Sequence, residues 1–414
     1  MFRRHVATLG ALAGVCALAV TGCGSRAASV ASSGSSGSGD TVVQIGVDSP
    51  LTGSLQAPGQ GLRYSAQLAV NIANKEKEVP GVTFQLVAKD DEATASIGEQ
   101  NATAFVADSG VVGVVGPMNS SVAQSEQSVF NAANMVEVSP ATTNPSLSQG
   151  PNWKTAPSRP YKSFFRDITT DAVQGPFAAD YVYKTLGIHT VATVDDGQTY
   201  GVGLVETFTQ EFTRLGGKVT VAQTATPTTT DYTSVISAIR SSSAQLVYYG
   251  GSYPAGAPLT KQLKAGGLNI PEMGGDGNDD PTYIRTAGSA ANGDYATLPG
   301  AALTSLSTAK TFISEYQAAN FPVQYGIYGG TTYDATWSLI LAVKTALSAD
   351  GGKMPSADTF RSQVEGAEQN VSFNGVTGPV SFDKYGDTGD RVITMYKIQN
   401  GSWGDGVYSA AFAG

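Results

Sequence analysis

An α/β architecture in two lobes, each a mostly parallel sheet flanked by helices, is what this sequence predicts, and three observations carry the prediction. Short β-branched runs alternate with helical patterns, as βαβ units require. The same alternation starts again in the second half of the chain, which implies two similar lobes. From Thr41 to the end run roughly 370 residues, more than a single hydrophobic core usually serves.

The chain opens differently. Arg3 and Arg4 precede an apolar run from Val6 to Val20 that is too short to span a bilayer, and small residues follow, which together read as a secretory signal over residues 1–22. Val20-Thr21-Gly22-Cys23 resembles a bacterial lipobox, in which the signal is cut before a cysteine that then carries acyl chains; two or more chains make such an anchor stable. Of the two cysteines, Cys16 leaves with the signal, so the mature chain forms no internal disulfide and Cys23 is explained by lipidation. Residues 23–40 then form the lipidated cysteine and a tether, because the Ser, Gly and Ala of Gly24 to Gly39 cannot bury enough surface to fold.

Composition narrows the partners. A formal net charge of -9 with 25 Lys+Arg argues against nucleic acid, which needs a basic face, and fits an exported, soluble domain. No later stretch approaches the roughly 20 apolar residues of a membrane helix, so the membrane is reached only through the lipid anchor.

The strands follow in order. Val42–Val47, Val82–Ala88, Val111–Val115 and Met135–Val138 form the first series, each followed by turn residues and a helical pattern. Thr190–Val194, Lys218–Ala222 and Gln245–Tyr249 form the second, and between its strands Leu204, Phe208 and Leu215, flanked by Val205 and Phe212, put an apolar stripe on one helix face. In open α/β sheets ligands sit beyond the carboxyl ends of strands, at helix N-termini, so facing lobes place one site in the cleft.

Four strand ends carry suitable chemistry. Gly116-Pro117-Met118-Asn119-Ser120-Ser121 brings hydroxyls and free backbone N–H groups to a helix start, as an anion cradle does, although Ser120 or Ser121 could equally serve as an N-cap. Ser139-Pro140-Ala141-Thr142-Thr143-Asn144-Pro145 adds further donors in a proline-bracketed loop, and the two loops together could hold one carboxylate. In the second lobe, Asp195-Asp196-Gly197-Gln198-Thr199-Tyr200-Gly201 supplies an aromatic hydroxyl. Gly274-Gly275-Asp276-Gly277-Asn278 sets in a glycine-rich loop an acid of the kind an ammonium needs.

Catalysis, cofactors and metals find little support. His5 falls in the signal and His189 before a strand, so no Ser-His or Cys-His arrangement stands on firm ground, and His189 reads as a turn residue. Gly59-Gln60-Gly61 and Gly201-Val202-Gly203 lack the third glycine of a dinucleotide fingerprint. Asp276-Gly277-Asn278-Asp279-Asp280 begins like a calcium loop but fails at Pro281 and Ala287, where glycine and glutamate are needed. Asp383, Asp387 and Asp390 read as a solvated loop, with a turn-capping carboxylate as the alternative.

At these loops the chain resembles the leucine/isoleucine/valine-binding proteins of ABC transporters. The resemblance runs through Ile45-Gly46-Val47, Leu51-Thr52-Gly53, Gly116 to Leu147, Asp195 to Leu204, Val247 to Pro254 and Met273 to Gly277. It is most specific at Thr377-Gly378-Pro379-Val380-Ser381-Phe382-Asp383 with Gly386-Asp387. It implies a type I periplasmic-binding-protein fold with three inter-lobe crossings, residues 41–168 plus 299–390 in lobe 1 and 169–298 plus 391–414 in lobe 2. It also implies a monomeric receptor, not an enzyme, that needs no cofactor and docks on ABC permease subunits.

By the same resemblance, Ser120, Thr143 and the Ala141 backbone hold a ligand carboxylate and Asp276 faces an α-ammonium. Tyr200 closes from the second lobe and Tyr328 lines the side-chain pocket. Family members often carry a tyrosine near Pro58 and another near Ser252; here Tyr253 is the nearest to Ser252. Aspartate also replaces the usual glutamate at Asp276. The ligand is therefore an amino acid whose ammonium sits deeper, or an amide, urea-like compound or aromatic acid. A sensor of the same fold is the alternative to a transport receptor, but it would usually carry a transmembrane helix or output domain.

Overall fold

The computed structural model describes residues 40–404 and 406–412. The signal, Cys23 and the tether up to Gly39 lie outside the described residues. Two sheets organise the rest. The first contains β1 (Thr41–Ser49), β2 (Val82–Asp90), β3 (Val111–Val115), β4 (Val136–Ser139) and β5 (Phe164–Arg166), in the order β2-β1-β3-β4-β5 and parallel throughout. The second sheet holds β6 (Thr190–Asp195), β7 (Lys218–Thr224), β8 (Leu246–Gly250), β9 (Glu272–Gly274) and β10 (Tyr295–Pro299). After the small ribbon β11 (Ser372–Asn374) and β12 (Pro379–Ser381), β13 (Val392–Lys397) and β14 (Tyr408–Ala411) complete it in the order β14-β13-β10-β9-β8-β6-β7. Its first five strands are parallel; β13 and then β14 extend the sheet antiparallel beyond β10.

The near-continuous apolar runs belong to strands covered on both faces. All five residues of β3 are buried. Val43, Ile45 and Val47 of β1 pack with Ala66 and Val70 of the helix Gln56–Glu76 and with Leu339, Ile340 and Val343 of the helix Gly329–Ala349. The second lobe has its own core, in which Leu204, Phe208 and Phe212 of the helix Thr199–Arg214 meet Val191, Leu246 and Tyr248. Leu215, read from the sequence as part of that stripe, instead caps the helix, because the chain turns at Gly216, where φ is 98°.

Strand ends shift from the sequence reading by a residue or two. Hydrogen bonding carries β4 to Ser139, paired with Arg166, and β8 to Gly250, paired with Asp195, beyond the apolar runs. Strand β5 and the antiparallel strands β13 and β14 have no counterpart in the sequence reading, whereas the three-residue β9 ends at Gly274, where the sequence reading puts a strand end at the glycine-rich loop.

Three crossings join the lobes. The chain leaves β5 for the helix Asp171–Asp180, which packs Val173 and Phe177 on the second core. It returns after β10 to the helix Gly329–Ala349 on the first core, and crosses again between Phe382, in the first core, and β13. The crossings are tied together where the Arg166 N–H donates to Gly386 O at 2.9 Å. Beside that bond, Arg166 Nε meets Asp387 Oδ1 at 2.6 Å.

Candidate ligand-binding site

A cavity of about 30 Å³ lies between the lobes at the carboxyl ends of the strands. Ser120, Ala141 and Tyr328 line it from the first lobe, and Tyr200, Ser252, Tyr253 and Asp276 from the second.

The first-lobe wall is made of turns. Gly116 adopts φ 129°, and a Cβ there would run into the Asp48 carbonyl, so glycine is required where β3 hands over to the helix Ser120–Ala132. Ser120 is the first helical residue; the cap is Asn119, whose side chain makes no capping bond, so neither Ser120 nor Ser121 is the N-cap. The first bond into the helix is donated by the Val122 N–H to Asn119 O, which leaves the Ser120 end facing the cavity. In the neighbouring loop Ser139 Oγ accepts from the N–H groups of Ala141 at 3.3 Å and Thr142 at 3.0 Å. Arg166 braces the same loop by donating to Thr142 O and Asn144 O. Thr143 is the exception among the eight residues singled out from the sequence: fully buried, it stands behind the lining, its carbonyl accepting from the Asp171 N–H at 2.8 Å.

Asp276 anchors the second-lobe wall. It is 2 % exposed, and three donors reach it: Tyr200 Oη at 2.7 Å and Gln174 Nε2 at 3.0 Å on Oδ1, and Tyr328 Oη at 2.6 Å on Oδ2. Burial raises its pKa above the ordinary carboxylate range, and the bonds from Tyr328, Tyr200 and Gln174 pull it part of the way back. Asp171, also buried, is pushed well above its usual value by desolvation and then by the Asp276 charge. Two carboxyl groups thus share this end of the cleft, and among the described residues no lysine or arginine donates a hydrogen bond to either of them.

The lobes touch around the cavity. Besides Tyr328 to Asp276, Tyr253 Oη donates to Ser54 O at 2.6 Å, Asn144 Nδ2 to Thr199 O at 2.6 Å and Thr199 Oγ1 to Gln124 Oε1 at 2.8 Å. Lys154 and Glu206 close an outer ion pair at 2.7 Å. The cavity has room for about two water molecules, so its lining must move to admit a larger solute.

Sequence reasoning missed Gln174 and Arg166, which touch the site loops from the first crossing; a lone polar residue in a helix and a lone arginine ending a three-residue strand give no local signal. It also missed the apolar lining of Leu55, Met118 and Ile327. Elsewhere, Asp387 corrects the solvated-loop reading: it is buried, paired with Arg166 and bonded by Ser148 and Gln149, while Asp383 caps the turn by accepting from the Tyr385 and Asp387 N–H groups. The calcium-like run is committed otherwise, Asp276 to tyrosines and Asp280 to capping the helix Pro281–Ala287. His189 packs edge-on against Tyr183.

Comparison with known proteins agrees with this fold. The periplasmic binding protein family matches residues 42–402. The leucine-, isoleucine-, valine-, threonine-, and alanine-binding protein of Pseudomonas aeruginosa is 28 % identical over 355 residues, 86 % of this chain and 89 % of that one. Among solved structures, a leucine binding protein from Thermotoga maritima is 26 % identical, with a TM-score of 0.76 over 87 % of this chain and 96 % of its own. A solute binding protein from R. palustris in complex with benzoate is 18 % identical, with a TM-score of 0.76 over 90 % and 97 %. Members of this family are exported solute-binding proteins rather than enzymes. With its matched length, its two α/β lobes and its inter-lobe cavity, the chain belongs to the periplasmic binding protein family, with the type I fold of the leucine/isoleucine/valine-binding proteins.

Proposed function

We propose that this protein is the solute-binding lipoprotein of an ABC importer, tethered to the outer face of the cell membrane through Cys23, and that its cleft takes a branched-chain or related small amino acid. The observation that carries the ligand class is Asp276: a carboxylate 2 % exposed, bonded among the described residues by neutral donors, facing hydroxyl and backbone donors across the cavity. A buried charge of this kind needs a cation, and an α-ammonium supplies one. Ser120, Ala141 and Thr143 take the ligand carboxylate, with Thr143 acting from behind the wall after a small rotation of its loop. Tyr200, Ser252, Tyr253 and Tyr328 form the sides. The monomer binds solute in an open form and docks on the permease when the lobes meet.

The three donors already on Asp276 favour a second reading, in which the ligand is an amide, a urea-like compound or an aromatic acid and Asp276 only organises the two tyrosines. Thermal shift against amino acids, amides, urea and aromatic acids separates the two, since a ligand that binds only the native state raises the melting temperature. Under the first reading branched-chain amino acids give the shift, and Asp276→Ala weakens their binding by about 2–5 kcal/mol. A shift confined to the other compounds, or unchanged amino-acid affinity in Asp276→Ala, rejects it.

A further inference from the structure

The acid of the site is itself held from outside the cleft. Gln174, fully buried, stands on the helix Asp171–Asp180 that follows the first crossing, and its Nε2 lies 3.0 Å from Asp276 Oδ1, 3.1 Å from Thr297 O and 3.0 Å from Thr297 Oγ1. Thr297 belongs to β10, the strand that leads into the second crossing. One side chain thus joins the Asp276 loop to the roots of two crossings.

The amide can face only one way. A carboxylate oxygen and a backbone carbonyl accept and do not donate, so the NH2 end must point at them, one N–H to each. Thr297 Oγ1 then turns its own proton toward Gly274 O, at 3.5 Å. This leaves Gln174 Oε1 buried with no hydrogen-bond partner among the described residues. An orphaned acceptor is costly, and an apolar side chain of similar length would fill the same space without that cost. What the amide adds is its two N–H bonds.

Those bonds decide which oxygen of Asp276 meets the cleft. Oδ1 accepts from Gln174 and Tyr200, both in its own lobe, whereas Oδ2 accepts from Tyr328 across the cleft. A carboxylate offers about four lone-pair sites, so the spare capacity lies on Oδ2. We propose that Gln174 is a positioning residue of the binding site, which clamps Asp276 Oδ1 to the crossing roots and so makes Oδ2 the oxygen presented to a ligand. The proposal rests on the reading of the cleft as an amino-acid site.

The titratable groups whose charges reach Asp276 are Tyr200 and Tyr328, bonded to it, Asp171 on the Gln174 helix, Asp279 just beyond its own turn and Tyr248 on β8. Of the three donors to Asp276, Gln174 is the one with no proton to lose, and donation to the charged carboxyl favours that form. Without it the carboxyl holds its proton more tightly in the folded protein, so stability falls more steeply as the pH rises.

The test uses the full-length chain in detergent, as parent, Gln174→Met, Asp276→Asn and the double variant, with Gln174→Leu in place of Gln174→Met if the latter does not fold. Without ligand, the melting temperature of Gln174→Met should fall between about pH 5 and about pH 8 by about 2 °C or more beyond the parent's fall, and the extra fall should vanish once Asp276→Asn is present. With L-leucine, L-isoleucine or L-valine, whichever binds the parent tightest, titration calorimetry should show Gln174→Met weakening affinity about tenfold at about pH 5 and by a smaller factor at about pH 8. A ligand-free profile parallel to the parent's, or an extra fall that survives Asp276→Asn, overturns the proposal. So does an equal loss of affinity at both pH values, which is general loosening, or no loss at either. If none of the three amino acids binds the parent while the ligand-free profile steepens as expected, the amino-acid reading fails and the positioning of Asp276 by Gln174 is upheld.

Discussion

Arg166 and Asp387 show how much one pair can carry. The guanidinium is fully buried and donates to Asp387, Ser148, Thr142 O and Asn144 O, so a single side chain joins two crossings and holds the loop that bears Thr143. Burial pushes the Asp387 carboxyl up, but Arg166 and the bonds from Gln149 and Ser148 outweigh it and leave its pKa below the ordinary value. A depressed acid contributes stability that is present above its unfolded pKa and is lost as the pH falls through its folded one. Asp387→Asn keeps the shape and strands the arginine, so urea unfolding should show a loss of about 3–5 kcal/mol. A loss under about 1 kcal/mol would mean that the backbone carbonyls alone satisfy Arg166.

At the scale of elements, the seam between the helix Thr199–Arg214 and the loop at Asn144 decides how the lobes meet. Gly203 lies in that helix directly under Asn144, and a Cβ there would overlap the Asn144 amide, whose Nδ2 donates to Thr199 O while Oδ1 accepts from the Ser146 N–H. Both ends of the amide are committed, so it cannot swing aside cheaply. Alanine is a better helix former than glycine, and with the lobes apart Gly203→Ala costs nothing. The substitution should leave the unliganded melting temperature equal or slightly higher while weakening ligand binding about tenfold or more, read by titration calorimetry. Unchanged affinity would show that the seam closes elsewhere.

The whole molecule carries an excess of buried acid. In the first lobe Asp48, Asp91, Glu126 and Glu137 are fully buried. Burial pushes Asp48 up to about 6, and burial with the Asp48 charge pushes Asp91 to about 8; Glu126 and Glu137 are raised well above their usual values by desolvation. Glu368, beneath the helix Gly329–Ala349, stands at about 8 for the same reason. An acid raised by folding binds its proton more tightly in the native state, so its stabilising contribution is complete below the unfolded pKa of about 4 and is lost as the pH rises through the folded value. The melting temperature should therefore fall between about pH 4 and pH 8, opposite in sign to the Asp387 effect at the acid end. A melting temperature that is flat or rising over that range would show that these groups titrate near their ordinary values. The same scale includes the proposed lipid anchor, which predicts that Cys23→Ser moves the protein from the membrane fraction to the soluble fraction; an unchanged distribution in fractionation and blotting would reject it.

The sequence by itself determined the α/β class, the repeated lobes and the loops at which a ligand is met. These depend on local rules: apolar runs of strand length, serines and glycines at strand ends, and an acid in a glycine-rich turn. Seven of the eight residues chosen on those rules and on family resemblance line the cavity, because the carboxyl ends of parallel strands converge wherever two such lobes face each other. Only the tertiary structure decided what surrounds them. Gln174 reaches Asp276 across 102 positions and Arg166 reaches Asp387 across 221, and no periodicity encodes a contact of that span. Thr143 stands behind the wall because the Asp171 N–H holds its carbonyl, and Asp387 is buried because a distant strand end brings a guanidinium to it. Burial and charge pairing are properties of the assembled neighbours, and they fix which acids keep their protons and which give them up.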